Sequence, residues 1–227
     1  MELSIDTSTR YAGVGLSQQG SALAEYSWVS RQNHTVELLP AVEHLLRTTG
    51  TPREDLECIF VAIGPGGFSA LRVGLSTAKG LGISLGVPLL ALNTLEIEAN
   101  PFKGLGLPIC PLLDMGRGEV AAALFGNDEG CWSRLREERL VAPQDLCAEV
   151  QEPTLFCGEG ASAWSSTLRE NLGERALLAE QAPPTRRPAT LARMGYQRFQ
   201  RGERDDTSSL EPLYLRRPSI TAPRPPK

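Results

Sequence analysis

The chain has 227 residues, 41% apolar and 22% charged, enough to bury a sizeable core in one large domain or two closely packed lobes. No apolar run approaches the length of a membrane span, and the sequence enters an apolar stretch from its first residues. No membrane contact and no secretory leader are therefore expected, and the reading is cytoplasmic. The net charge of −4 conceals an asymmetry, because the segment from Arg186 onward carries +6 and everything before it −10, which disfavours general RNA binding by the main body.

The chain opens as three strands, Leu3–Ile5, Tyr11–Leu16 and Ala22–Val29, the last two joined by the turn Gln18-Gln19-Gly20-Ser21. A helix is predicted from His34 to Arg47, stopped by Gly50 and Pro52. A buried strand over 58–63 then runs into the glycine-rich turn Gly64-Pro65-Gly66-Gly67, a helix over Ala70–Leu85 and a strand at Leu89–Leu92. Ile109–Leu113, closed by Asp114, and Glu119–Phe125 are the next two strands. Beyond Phe125 the pattern is irregular: a helix over Pro143–Val150, a strand at Thr154–Cys157, a helix over Ala161–Leu172 and another over Thr190–Arg201. Arg216 to Lys227 holds four prolines and four basic residues and reads as a flexible tail.

Three antiparallel strands followed by helix–strand alternation is the order of a ribonuclease-H-like lobe. An internal echo points to duplication, since Asp6 and Asp114 each close the first strand of a half and precede a polar turn and a second strand. The fold class is therefore α/β, an actin-like, duplicated two-lobe fold with mixed sheets. Its expected lobes are 1–105 and 106–215, with 216–227 as tail. In ATPases and sugar kinases of that class such aspartates flank phosphates and a metal-bound water, so a small ATPase or sugar kinase is the alternative reading. Each aspartate taken alone is better explained by an Asx-turn.

The glycine turn has the layout of an anion site, backbone N–H groups at a helix start. It lacks the phosphate-loop signature, because Lys79 precedes a glycine, and the dinucleotide fingerprint fails at Ser69. No long glycine-rich loop in the second half offers an adenosine clamp. Cys157 and Ser69 are conceivable nucleophiles without a base, since the chain has only His34 and His44. Five scattered cysteines with no C-x-x-C pair read as small buried hydrophobes in a reducing compartment.

The run "GPGGFSALRVGLSTAKGLGISLGVPLLALNTLE" resembles the central motif of the TsaB (YeaZ) family. "LSIDTST" at 3–9, "HTVELLPAVEHLL" at 34–46, "LLDMGRGEVAAALF" at 112–125 and "EPLYLR" at 211–216 follow in the family's order. The departures are local, at Ser69-Ala70 and at Asp114-Met115-Gly116-Arg117. The resemblance implies a non-catalytic subunit of bacterial threonylcarbamoyladenosine tRNA modification. It implies pairing with a TsaD-type catalytic subunit, a TsaE-type ATPase as third member, a homodimer when alone, and tRNA contact only through the complex. Where TsaD-type subunits carry two metal-binding histidines, this chain has Thr94 and Glu98. No catalytic residue, cofactor or metal is expected.

The two long helices are the expected partner surface. Ala70, Gly74, Ala78, Gly82 and Gly86 form a ridge of small residues every four positions. On the earlier helix Val36, Leu39, Val42 and Leu46 make one apolar stripe, and Leu38, Ala41 and Leu45 a second. Because family members use these helices for pairing, the resemblance implies an interface of Val36, Leu38, Leu39, Ala41, Val42 and Leu45 with Ala70, Arg72, Gly74, Leu75, Ala78, Lys79 and Gly82.

Overall fold

The computed structural model describes residues 1–179 and 186–216; residues 217–227 of the expected tail lie outside them. β1 (Glu2–Asp6), β2 (Tyr11–Gln18) and β3 (Ser21–Val29) form an antiparallel meander, followed by α1 (His34–Thr49), β4 (Cys58–Ala62), α2 (Phe68–Leu85) and β5 (Leu89–Leu92). These strands make one sheet, ordered β3-β2-β1-β4-β5 and parallel where β1, β4 and β5 meet. After the short α3 (Thr94–Ala99) the pattern repeats. β6 (Ile109–Asp114), β7 (Val120–Asp128) and β8 (Cys131–Val141) form a second meander, then α4 (Pro143–Glu149), β9 (Thr154–Cys157), α5 (Glu159–Ala163), α6 (Ser165–Leu172) and β10 (Ala176–Leu178). The second sheet runs β8-β7-β6-β9-β10, the order of the first, so the duplication is carried by topology. The last helix is α7 (Pro188–Gln200).

All five residues of β4 are buried, as befits a parallel strand covered on both faces. Its alternating side chains feed two different cores. Ile59 and Val61 join Leu38, Leu45, Leu75 and Ala78 under α1 and α2. Cys58, Phe60 and Ala62 join Leu191 and Met194 of α7 on the other face.

The expected division at residue 105 is crossed in both directions. α7 lies on the first sheet, with Gly195 over the Phe60 ring so closely that a Cβ there would collide with it. In exchange, Leu95 and Ala99 of α3 pack with Ile109, Leu113 and Ala121 of the second sheet. The segment 106–215 is therefore not self-contained: each half lends the other a helix.

Local features depart from the sequence reading, among them the short strand β10. β8 occupies eleven residues where no strand was expected. α3 forms in Thr94–Ala99, its start capped by Asn93, whose side chain accepts the backbone N–H groups of Leu95 and Glu96. The helix expected over 161–172 is two, α5 and α6, divided at Trp164.

Gly195→Val should lower stability by at least about 1–3 kcal/mol, the usual cost of overpacking, because the branched side chain must displace Phe60. A thermal melt several degrees below the parent, with faster proteolysis within α7, is the expected result; an unchanged melt would mean that α7 is not docked on β4.

Candidate functional site: a buried arginine cluster and an exposed helix face

Asp6 and Asp114 stand where the duplication puts them, at the ends of β1 and β6. Each makes the same local contact: Asp6 accepts the Ser8 backbone N–H at 2.8 Å, and Asp114 accepts that of Gly116 at 2.9 Å. Both are Asx-turns. Asp114 is exposed, whereas Asp6 is buried and engaged further.

The other oxygen of Asp6 accepts from Nε of Arg186, a residue that belongs to none of the sequence motifs. The Arg186 side chain is only 1% exposed and reaches four segments of the fold. It donates to Glu98 of α3 at 3.2 Å, to the Thr9 hydroxyl at 2.9 Å and to the Tyr11 carbonyl at 3.2 Å, and stands 3.8 Å from Glu159 of α5. Burial works against its charge, but Asp6, Glu98 and Glu159 outweigh it and hold the guanidinium above the usual arginine range. The place where an actin-like ATPase would gather phosphate and metal thus holds an arginine of the chain itself.

The glycine turn is likewise turned inward. Gly64 N–H donates to the Thr94 hydroxyl at 3.0 Å and Gly67 N–H to the Ser8 carbonyl at 2.7 Å. Thr94 also shares a 2.8 Å hydrogen bond with Ser8 Oγ. Thr94 and Glu98, which replace metal-binding histidines in the expected pattern, are thus committed to the internal network. Among the described residues no group of three or more His, Cys, Asp or Glu is arranged to hold a metal ion. His34 is buried and donates to the Thr9 carbonyl at 3.0 Å, while His44 packs edge-on against Tyr26. Cys157 is buried, its Sγ directed at the Glu98 carbonyl at 3.7 Å.

The helix faces correct the expected interface. Gly74, Leu75, Ala78 and Gly82 are buried against the chain's own sheet, not presented to a partner. A Cβ on Gly74 would strike Thr7, and one on Gly82 would lie 2.6 Å from Leu89. Their small size lets α2 approach β1 and β5. Leu38, Ala41, Val42 and Leu45 are likewise turned inward, into the core beneath α1. Val36 and Leu39 remain at the surface, 70% and 54% exposed. On α2 the exposed Arg72 and partly exposed Lys79 share an outward face with Ser76 and Ile83, the latter 73% exposed. Those four positions fall within about 60° of the helix surface. Ala70 sits partly exposed at the helix start.

Arg72 is held by its own chain. It lies 4.1 Å from the centroid of Phe68 and donates to Tyr214 at 3.0 Å, while Phe68 and Tyr214 pack at 4.8 Å. Leu213 N–H donates to the Ile63 carbonyl at 2.8 Å, and Arg216 pairs with Glu119 at the start of β7. The EPLYLR motif is thus a strap from the glycine turn to the second sheet.

Two lobes of equal strand order, each with an aspartate at the end of its first strand, define an actin-like protein. The solved YeaZ structure from Pseudomonas aeruginosa matches at a TM-score of 0.76 and 25% identity, covering 94% of this chain and 99% of that one. Component A of (R)-2-hydroxyglutaryl-CoA dehydratase from Acidaminococcus fermentans matches at 0.51 and 10% identity, covering 87% and 98%, and shares the fold alone. A family model described as TsaD, tRNA N6-adenosine threonylcarbamoyltransferase, matches residues 28–222. The tRNA threonylcarbamoyladenosine biosynthesis protein TsaB of Bacillus subtilis is 33% identical over 220 residues, covering 94% of this chain and 93% of the relative. The chain belongs to the TsaB (YeaZ) family.

Arg186→Leu should cost about 3–5 kcal/mol, because it strands buried carboxylates without a counter-charge. Arg186→Lys should lose less, keeping the charge but not the fork of donors. Chemical denaturation of both variants checks the order, and equal stability of all three chains would remove the cluster's structural role.

Burial pushes the Cys58 and Cys110 thiols up to about 12, and raises those of Cys147 and Cys157. Only about one in ten thousand of a thiol at 12 is ionised at pH 8. An aromatic disulfide reagent should therefore label the exposed Cys131 rapidly and the other four only on unfolding. Rapid native labelling of Cys157 would revive it as a nucleophile.

Proposed function

We propose that this chain is the non-catalytic subunit in tRNA threonylcarbamoyladenosine biosynthesis. It pairs with a TsaD-type catalytic subunit, recruits a TsaE-type ATPase to the pair, and meets tRNA only through the complex. The observation that carries the reading is Arg186. With its guanidinium bound to Asp6 and Glu98, the carboxylate a nucleotide-dependent relative would turn to phosphate and metal is already neutralised. The small ATPase or sugar kinase of the alternative reading would have to expel a buried, charged side chain before each turnover, at a cost of several kcal/mol.

The pairing surface on this reading is narrower than the sequence implies. It consists of the outward face of α1 at Val36 and Leu39, joined by Ala70, Arg72, Lys79 and Ile83 of α2. Three large aliphatic side chains between 54% and 73% exposed are a reason to expect a covering partner. In the absence of that partner the same face would bury itself against a second copy, giving the homodimer.

Val36→Asp combined with Leu39→Glu tests this. Both positions are exposed, so circular dichroism and the melting temperature should stay near the parent values. Co-elution with a TsaD-type subunit should be lost, together with the chain's ability to stimulate threonylcarbamoyl transfer to tRNA. Undiminished pairing by the folded variant would show that the interface lies elsewhere. By contrast Ala78→Glu, on the buried ridge, should unfold the chain, since it places a carboxylate in its own core.

A further inference from the structure

Beside the exposed band of α1 lies a cleft that pairing through aliphatic residues does not use. β3 is an edge strand of the first sheet, and Tyr26 and Trp28, two residues apart, share the face that meets α1. Their rings stack at 5.5 Å with 29° between the planes. His44 of α1 meets Tyr26 edge-on, also at 5.5 Å. The indole N–H of Trp28 donates to Glu37 Oε2 at 2.9 Å, which fixes the ring and turns a carboxylate toward it. These four residues, with Pro40 and Ala41, surround a cleft of about 390 Å³.

The lining has two stacked aromatic faces, an imidazole and one carboxylate, but no lysine or arginine. Glu37 is held ionised, since hydrogen bonds from Ser30 and Trp28 bring its carboxyl below the usual carboxylate range. Aromatic faces attract cations through their quadrupole, and an ionised carboxylate at the rim adds charge complementarity. A flat guanidinium both stacks on such rings and bonds a carboxylate through its fork, which an ammonium does not. Tyr26 is 42% exposed, so the aromatic wall faces solvent.

The position of the cleft identifies what fills it. On α1, Val36, Leu39, Pro40 and Glu43 are all exposed and fall within about 100° of the helix surface. Glu37 and His44 border that band on the β3 side, and Pro40 belongs both to the band and to the lining of the cleft, so a partner that covers the whole band reaches the rim of the cleft.

We propose that this cleft receives one arginine side chain of the protein partner that covers α1. The assignment rests on the pairing reading and adds to it a specific charged anchor. An arginine stacked on this aromatic pair at the edge of an apolar band has the composition of an interface hot spot. It also makes pairing depend on charge, which the aliphatic residues alone would not.

The test uses the full chain and two readouts. The first is the Trp28 indole N–H resonance, assigned by its disappearance in Trp28→Phe, followed while N-acetylarginine amide is added against N-acetylglutamine amide at matched ionic strength. A saturable shift in the millimolar range is expected with the arginine probe alone. It should vanish in Glu37→Gln, which keeps an acceptor for the indole but removes the charge. The second readout is affinity for a TsaD-type subunit. Glu37→Gln should weaken it about tenfold at low salt, with the difference shrinking as salt rises. A parent chain that fails to pair at all would sink the pairing reading by itself. A parent that pairs while Glu37→Gln pairs equally well, or an arginine probe without a saturable shift, overturns the assignment of the cleft.

Discussion

The buried guanidinium of Arg186 is the contact on which the arrangement of the two lobes depends. Asp6 closes the first strand, Glu98 lies on the helix between the sheets, Glu159 opens the helix after β9, and Arg186 stands two residues before α7. Four segments far apart in sequence meet at one side chain. Replacing such a cluster by well-packed apolar residues is often neutral or favourable for stability, so its value is better sought in specificity. Here it fixes where the chain re-enters the first lobe, and with that the register of α7 on β4. The same side chain neutralises the aspartate that closes β1.

Once α7 is anchored, other features of the core follow. Each sheet has one face covered by helices from its own half and another that receives a helix from the other half. α3 is small because it serves both, with Ile97 turned to the α7 core and Leu95 and Ala99 to the second sheet. The strap at 211–216 closes the exchange by bonding the glycine turn and reaching the start of β7. The actin-like fold is usually described as two lobes around a cleft; in this chain the lobes are stitched together at three places.

Much of this was legible in the residues. Strands with apolar runs bounded by glycine or proline, such as Leu89–Leu92 and Thr154–Cys157, stand where the pattern puts them, because buried parallel strands leave a strong local signal. β8 was not legible, because an edge strand tolerates charge. Arg134, Arg136, Glu137, Glu138 and Arg139 hide its alternation, and ion pairs with Glu149 and within the strand satisfy them. The small-residue ridge of α2 was legible as a close packing surface, but periodicity does not say whether the closely packed neighbour is a partner or the chain's own sheet. The polar face at Arg72, Ser76 and Lys79 was the available clue, since a helix with one charged side buries the opposite one. Arg186 left no signal, because its meaning lies in three carboxylates up to 180 residues away.

The return of α7 also bears on how the protein is made. During synthesis the face of the first sheet formed by Cys58, Phe60, Leu90 and Leu92 is complete long before residues 188–200 leave the ribosome. At ordinary elongation rates the intervening hundred or so residues take roughly five to twenty seconds. For that interval a nascent chain displays an apolar sheet surface that has no native cover. The first lobe therefore cannot finish folding as it emerges, in the way an autonomous N-terminal domain would. Its completion waits for the last helix, so a truncated translation product should be recognised as unfinished, which couples folding quality to full-length synthesis.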